Sequence, residues 1–341
     1  MLNIVYLDNL PAQNGLDILN SQSKVKIIKI NSSDSEELNF SILKNAHAYQ
    51  VGAARDEVPK HLQVDKLLLS KTPNLLLVSS GGAGYDTINV QDCTDAGVLV
   101  VNQTGGNAEG VAEHAVAMML NLFKRITESD ISLRRGWDGK RTDLMGKDLL
   151  NKTVGIVGLG NTGSRVAEIC KLAFNCNVLA YDPYIDKESF KSKHANQVEL
   201  DDLLMKSDVI SVHVPLNNET NNMINKEWFH KMKKGSYFVT TARGSIHNED
   251  DLFEFLSNKH IAGAGLDVWG YEPPSSSHKL LKLDNVIASP HTAGVTYDSR
   301  NKMSEFVATQ LLDIFDGKVP ARPVNSEVLD IFSSKFKKLS N

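Results

Sequence analysis

The chain has 341 residues, a net charge of −4, and 41% hydrophobic against 23% charged residues, which leaves room for about two domains with a sizeable core. So even a charge balance gives no broad basic footprint for nucleic acid, and no apolar run in the sequence is long enough to span a bilayer. Cys93, Cys170 and Cys176 form no CxxC pair, and the chain starts directly in a strand-like pattern, so it reads as a cytoplasmic protein with reduced thiols and no metal.

In chain order, the apolar runs Ile4 to Leu7, Val25 to Ile30, Ala46 to Val51, Leu75 to Val78 and Val98 to Val101 read as strands. Amphipathic stretches between them predict a parallel sheet covered by helices. The loop Ser79 to Asn89 places glycines directly after a strand, where their amides could receive a carboxylate; taken alone it reads as a flexible turn. Asn107 to Arg125 predicts one long helix. Its face of Val111, Ala115, Met118, Met119, Leu122 and Phe123 suits a core or a subunit interface, and His114 reads as a satisfied structural histidine. The polar segment Ser132 to Leu144, with one large aromatic, Trp137, reads as an arm.

Thr153 to Asp182 is the most informative stretch. A β-branched run, Val154 to Val157, breaks at Gly158, Gly160 and Gly163 in G-x-G-x-x-G spacing. Helical spacing follows at Val166, Ile169, Cys170 and Ala173, and a second apolar run, Val178 to Tyr181, ends in Asp182. In such a βαβ unit the first glycine allows a tight turn, the second lets backbone approach a pyrophosphate, and the third lets the helix pack on the sheet. The helix N-terminus offers N–H groups to the anion. Asp182 follows Gly163 at close to the expected spacing of about 20 residues, as a ribose acceptor that would repel a 2′-phosphate. The expected cofactor is therefore NAD.

The α/β rhythm then resumes. Val209 to Val214, Tyr237 to Thr241, Ile261 to Val268 and Val286 to Ser289 read as strands, and Leu200 to Met205 and Asn248 to Ser257 as helices, the latter capped by Asn248. Asp298 to Phe315 predicts a last amphipathic helix, stopped at Gly317. Ser326 to Asn341, with Lys335, Lys337 and Lys338, reads as a short solvated tail.

Three clusters lie at predicted strand ends: TTARGS with Arg243, LDVWGYEPP with Glu272, and SPHTAG with His291. Carboxyl ends of strands in a doubly wound sheet face the ligand crevice. Arg243 can hold a carboxylate by a bidentate fork. His291 can exchange a proton with a carbonyl oxygen, and Glu272 can orient its ring and favour its charged form. These types suit hydride transfer on a 2-oxo or 2-hydroxy acid.

The ordered motifs GLGNTG, YDP, VHVPL, TARGSIHNEDDL, GAGLDVWGYEPP and SPHTAGVTYDSRNKM, together with GGAGYDTINVQDCTDAGVLVVNQTGGNAEGVAEHAVAMML, resemble the D-isomer-specific 2-hydroxyacid dehydrogenases. The resemblance covers roughly Leu75 to Asn325. It implies two Rossmann-like domains. An NAD-binding doubly wound parallel sheet, residues 102–295, is inserted into a flavodoxin-like substrate domain of residues 1–101 and 296–341, with hinge crossings near Val101 and Thr296. It implies Arg243 as carboxylate clamp, Glu272 as histidine partner and His291 as acid/base. It also implies NAD contacts at Asn161, Thr162, Asp182, Val214, Thr241, Ala242, Arg243, Asp267 and Gly294. The amides of Ala83 and Gly84 become a second substrate-carboxylate site, which reverses the reading of that loop as a plain turn. Members pair through their nucleotide domains, so a homodimer is expected, with Trp137 a candidate to enter the neighbouring subunit's site.

Departures from the family pattern are local. Gln103 and Thr104 stand where Ala-Pro is common, Thr240 and Thr241 where Val-Asn is common, and His247 and Asn248 replace an apolar-Asp pair. The regulatory extension of longer phosphoglycerate dehydrogenases is not expected. The substrate's side chain stays open: Arg55 could read a distal anion or form a surface ion pair. Two other readings share the fold. Formate and phosphite dehydrogenases are one, although formate enzymes of this type carry Gln at the position of Glu272. The other is an NAD-sensing interaction protein similar to the C-terminal-binding corepressors, for which a peptide groove and long extensions would be expected.

Overall fold

The computed structural model of the chain describes residues 2–340, with side chains through residue 338. It divides into two compact units, Met1–Asn107 with Tyr297–Asn341, and Ala108–Thr296.

In the first unit β1 (Leu2–Leu7), β2 (Val25–Ile30), β3 (Ala48–Val51), β4 (Leu77–Ser80) and β5 (Leu99–Val101) alternate with α1 (Gln13–Asn20), α2 (Glu36–Leu43), α3 (Lys66–Lys71) and α4 (Val90–Asp95). The strands pair in parallel in the order β2-β1-β3-β4-β5. Because side chains alternate across a strand, Val5, Tyr49, Val51, Val78 and Val100 fill the core on one face. Ile4, Ala48, Leu77, Leu99 and Val101 fill the core on the other. Ser35, Asp65 and Asn89 cap α2, α3 and α4 by accepting first-turn N–H groups. The fourth strand lies two residues later than its apolar run suggests. Ser79 and Ser80 join the ladder opposite Gln50 and Val51, so the sheet ends in buried polar residues.

The second unit opens with α5 (Ala108–Lys124) and α6 (Ile126–Arg134). The expected helix stops where Arg125 turns into the left-handed region at φ 55°, but the chain re-enters a helix at once, so part of the expected arm is α6. Next come β6 (Thr153–Val157), α7 (Asn161–Phe174), β7 (Asn177–Tyr181), α8 (Lys187–Ser192), β8 (Asn196–Gln197), α9 (Leu200–Lys206) and β9 (Val209–Val212). The unit closes with α10 (Lys226–Lys231), β10 (Ser236–Thr240), α11 (Glu249–Ser257), β11 (Ile261–Leu266) and β12 (Val286–Ala288). All seven strands are parallel, in the order β12-β11-β10-β9-β6-β7-β8. The order reverses between β6 and β9, the switch point at which such sheets bind ligands. Val154, Ile156, Val178, Val209 and Val239 pack on one face, and Val157, Leu179, Ile210, Val212 and Phe238 on the other.

The chain then returns to the first unit through α12 (Tyr297–Phe315) and α13 (Leu329–Ser340). The expectation of a solvated tail is corrected here. Val328, Phe332 and Phe336 recur every fourth residue, which puts them on one helical face. Val328 and Phe332 are buried with Leu311 and Phe315. The Phe336 ring stacks at 5.9 Å from Phe332 and 6.0 Å from Phe315. The lysines that suggested a solvated end lie on the outer side, except that Lys335 Nζ donates to the Ala96 carbonyl at 2.7 Å. Asn341 lies outside the described residues.

Candidate active site

Six strands of the second unit's sheet deliver site residues at their carboxyl ends. After β6 the chain turns at Gly158, whose φ is 89°, and enters α7 through Asn161, Thr162 and Gly163. A Cβ on Gly163 would lie 2.0 Å from the Gly158 carbonyl oxygen, whereas one on Gly160 would meet nothing within 4 Å. Gly163 is thus demanded by packing, and Gly160 leaves open space over the turn. The first N–H groups of α7 have no intrahelical partner, so the turn fits a dinucleotide pyrophosphate. Val214, after β9, lies beside Gly158.

Asp182, after β7, braces this turn. Its Oδ2 accepts the Leu159 N–H at 2.9 Å and its Oδ1 the Tyr184 N–H at 3.0 Å. One lone pair on each oxygen remains for ribose hydroxyls. Lys193 Nζ holds the Leu159 carbonyl at 2.8 Å, so both backbone groups of Leu159 are tied by side chains. Nothing in the sequence pattern pointed to Lys193.

Arg243, Glu272 and His291 follow β10, β11 and β12. His291 Nδ1 lies 2.7 Å from Glu272 Oε2, and Glu272 Oε1 accepts the Trp269 N–H at 3.0 Å. The hydrogen bond to Glu272 raises the His291 pKa against the opposing effect of burial, with the Arg243 charge also lowering it. Burial would raise the Glu272 carboxyl, but its bonds to His291 and the Trp269 N–H, with the nearby Arg243 charge, hold it below the ordinary value. Both shifts describe one ion pair in the field of one guanidinium. Arg243 donates through Nη1 to the Ala242 carbonyl at 2.7 Å. A Cβ on the next residue, Gly244, would lie 1.9 Å from the Trp269 carbonyl, so only glycine lets the Arg243 turn press against the loop that carries Glu272.

Asp267 is fully buried and organises the histidine loop. Its Oδ1 accepts from Ser289 Oγ at 2.7 Å and the Thr292 N–H at 2.8 Å, and its Oδ2 from the Ala293 N–H at 3.0 Å. Its carbonyl takes the His291 N–H at 2.7 Å. These bonds hold His291 at φ 55°, a left-handed conformation costing roughly 1–2 kcal/mol that turns its ring towards Glu272. His114 Nε2 lies 3.0 Å from Ser289 Oγ, the satisfied structural role expected of it. Thr241 and Ala242 are buried beside Arg243, and Gly294 follows the Asp267-held turn. His213, at the β9 exit, was not singled out in the sequence. Its Nε2 meets Ser211 Oγ at 2.9 Å, and burial pushes its pKa down to about 4.

In the first unit the glycine loop follows β4. Three successive carbonyls are held: Gly82 O by the Gln103 N–H at 2.9 Å, Ala83 O by Asn102 Nδ2 at 2.8 Å, and Gly84 O by Ser80 Oγ. Among the described residues the Ala83 and Gly84 amides have no acceptor of their own. Arg55 lies on an exposed turn; its Nε donates to the Asp86 carbonyl at 2.8 Å, and it lines an open cleft of about 600 Å³ with Lys60, Asp65 and Asn89. Trp137 is half-buried, folded back over Gly139 of its own segment.

Among the described residues, no cluster of His, Cys, Asp or Glu could hold a metal, and no helix is long and apolar enough to cross a membrane.

A parallel sheet with a glycine turn at its switch point and a carboxylate on the next strand defines a dinucleotide-binding α/β unit, and a His–Glu pair lies at neighbouring strand ends of the same sheet. Residues 116–293 match the family model described as D-isomer specific 2-hydroxyacid dehydrogenase, NAD binding domain. The chain is 39% identical over 306 residues to the D-3-phosphoglycerate dehydrogenase of Archaeoglobus fulgidus, covering 85% of this chain and 58% of that protein. It is 37% identical over 275 residues to the glyoxylate reductase of Thermofilum pendens, covering 79% and 80% respectively. The fold superposes on the D-lactate dehydrogenase of Aquifex aeolicus complexed with NAD and lactic acid with a TM-score of 0.80 at 31% identity, covering 94% of this chain and 99% of that one. The chain belongs to the D-isomer specific 2-hydroxyacid dehydrogenases, a family of NAD-dependent oxidoreductases.

Proposed function

We propose that the chain catalyses hydride transfer between NAD(H) and a small D-2-hydroxy acid or its 2-oxo acid. The observation that carries this reading is the His291–Glu272 hydrogen bond at 2.7 Å under the influence of the Arg243 charge. Residues 108–296 serve as the NAD-binding domain and the remainder as the substrate domain. The working form is a cytoplasmic homodimer paired through the NAD-binding domains.

Arg243 takes the substrate carboxylate by its planar fork and polarises the neighbouring carbonyl. Glu272 accepts the Nδ1–H of His291, which leaves Nε2 as the nitrogen that faces substrate. In reduction Nε2 gives its proton to the carbonyl oxygen, and in oxidation it removes the hydroxyl proton. Glu272 stabilises the imidazolium that exists on the reductive side. The Ala83 and Gly84 amides serve as a carboxylate-binding element of the substrate domain. Bound NAD supplies the carbon that gives or accepts the hydride. Gly158, Gly160, Asn161, Thr162 and Gly163 hold its pyrophosphate, Asp182 its adenosine ribose, and Val214, Thr241, Ala242, Asp267 and Gly294 border the rest of it.

Purified protein mixed with NADH and, in turn, glyoxylate, hydroxypyruvate, pyruvate, and longer or anionic 2-oxo acids is expected to consume NADH with at least one of them. Silence across the panel would overturn the reading.

A further inference from the structure

The turn Asn102–Thr104 is where this chain departs from the Ala-Pro pair common in its family, and it is also where the glycine loop is held. Peptide units are planar, so fixing a carbonyl aims the N–H of the following residue in the opposite direction. The Gln103 N–H on Gly82 O therefore aims the Ala83 amide, and Asn102 Nδ2 on Ala83 O aims the Gly84 amide.

Each of these holds is itself secured. The Thr104 N–H donates to Asn102 Oδ1 at 3.3 Å, which turns the other end of that side-chain amide, Nδ2, towards Ala83. A proline at 104 would have no such N–H. Gln103 is fully buried, and its Nε2 donates to Ser79 Oγ at 3.2 Å and Ser80 O at 3.0 Å, tying the turn to the end of β4. From the C-terminal part of the unit, Gln310 Nε2 donates to the Asn102 carbonyl at 3.1 Å and Arg322 Nε to the Thr104 carbonyl at 3.1 Å. The Arg322 guanidinium lies 3.7 Å over the Phe306 ring.

We propose that Asn102, Gln103 and Thr104 are positioning residues that set the direction of the Ala83 and Gly84 amides and so tune affinity for the substrate carboxylate. This rests on the reading of those amides as a carboxylate site.

The test is steady-state kinetics on Asn102→Ala, Gln103→Met and Thr104→Pro, using the best 2-oxo acid of the panel and oxalate as a non-reacting competitor. Gln103→Met keeps the buried volume and removes the side-chain amide, whose Nε2 makes both bonds and whose buried Oε1 has no partner among the described residues. Losing one aimed hydrogen bond is expected to raise KM for the 2-oxo acid and Ki for oxalate by about 3- to 10-fold. kcat and the KM for NADH should stay within about twofold, the signature of lost uniform binding. If Asn102→Ala fails to fold, Thr104→Pro, which removes a single surface-side N–H, carries the same test. Variants whose KM and Ki for the acids match wild type, or whose kcat and Tm fall while both KM values rise together, would overturn the proposal and leave the function intact. A wild-type protein inert on every 2-oxo acid would instead remove the reading beneath it.

Discussion

Glu272 Oε2 and His291 Nδ1 meet at 2.7 Å across two adjacent strand ends. In the proposed mechanism that contact leaves Nε2 for substrate and raises the pKa of the ring. With the imidazolium as the proposed donor in reduction, reductive kcat/KM is expected to hold below the raised pKa of His291 and to fall as pH rises through it. Oxidation needs the neutral ring and follows the opposite limb. Glu272→Gln removes the anion that raises this pKa. The alkaline limb of the reductive profile should move to lower pH, with a loss of about 10- to 100-fold at neutral pH. A profile that does not move would show that Glu272 leaves the protonation of His291 unaffected.

Replacing His291 by Asn should separate binding from chemistry. NADH binding, followed by its fluorescence on titration, should survive. Turnover should fall by about 100- to 10,000-fold. Persistent turnover would mean another group moves the proton.

The fingerprint glycines should fail in different ways. Gly163→Ala forces a Cβ to 2.0 Å from the Gly158 carbonyl, an overpacking expected to cost about 1–3 kcal/mol or more. Thermal unfolding should show a Tm lower by several degrees. A Cβ on Gly160 meets no protein atom within 4 Å, so Gly160→Ala should keep the wild-type Tm. Its NADH affinity should drop by roughly tenfold, about 1.4 kcal/mol. Equal Tm losses in the two variants would contradict this division.

His247 offers a stability test away from the chemistry. It is buried, its two ring nitrogens have no hydrogen-bond partner among the described residues, and its ring lies 5.8 Å from that of Phe238. Burial lowers its pKa from 6.5 to about 4. Its folded pKa is depressed, so the unfolded chain binds more protons in that window, and stability is lost as pH falls from about 6.5 towards 4. His247→Leu should add about 1–2 kcal/mol near neutrality and flatten the acid limb of denaturant midpoints against pH. A variant less stable at every pH would mean that the ring is held by contacts worth more than its unpaired nitrogens.

The glycine turn, the acidic residue after β7 and the three strand-end clusters were legible because each is a local pattern with one steric or electrostatic cause. The strand order was not: Asn196 and Gln197 form the edge strand in two residues, too few for any periodicity. The helix from Leu329 was missed although Val328, Phe332 and Phe336 carry its spacing, because three nearby lysines suggested solvent. Asp267 was expected only as a cofactor contact and Asn102 was not singled out, so their bracing of two loops was not read. Their role is to accept or donate across the fold, at the turns that carry His291 and Ala83, and sequence distance gives no sign of it.

The strand order β12-β11-β10-β9-β6-β7-β8 works as a ruler. Neighbouring strands sit about 4.8 Å apart, so the Asp182 strand and the Arg243 strand, three steps from one another, are separated by about 14 Å. One end of a long ligand is measured off from the other by backbone alone. On the proposed function, the loops after β10, β11 and β12 can exchange residues, and with them the acid they take, while the β6 and β7 ends keep the same span.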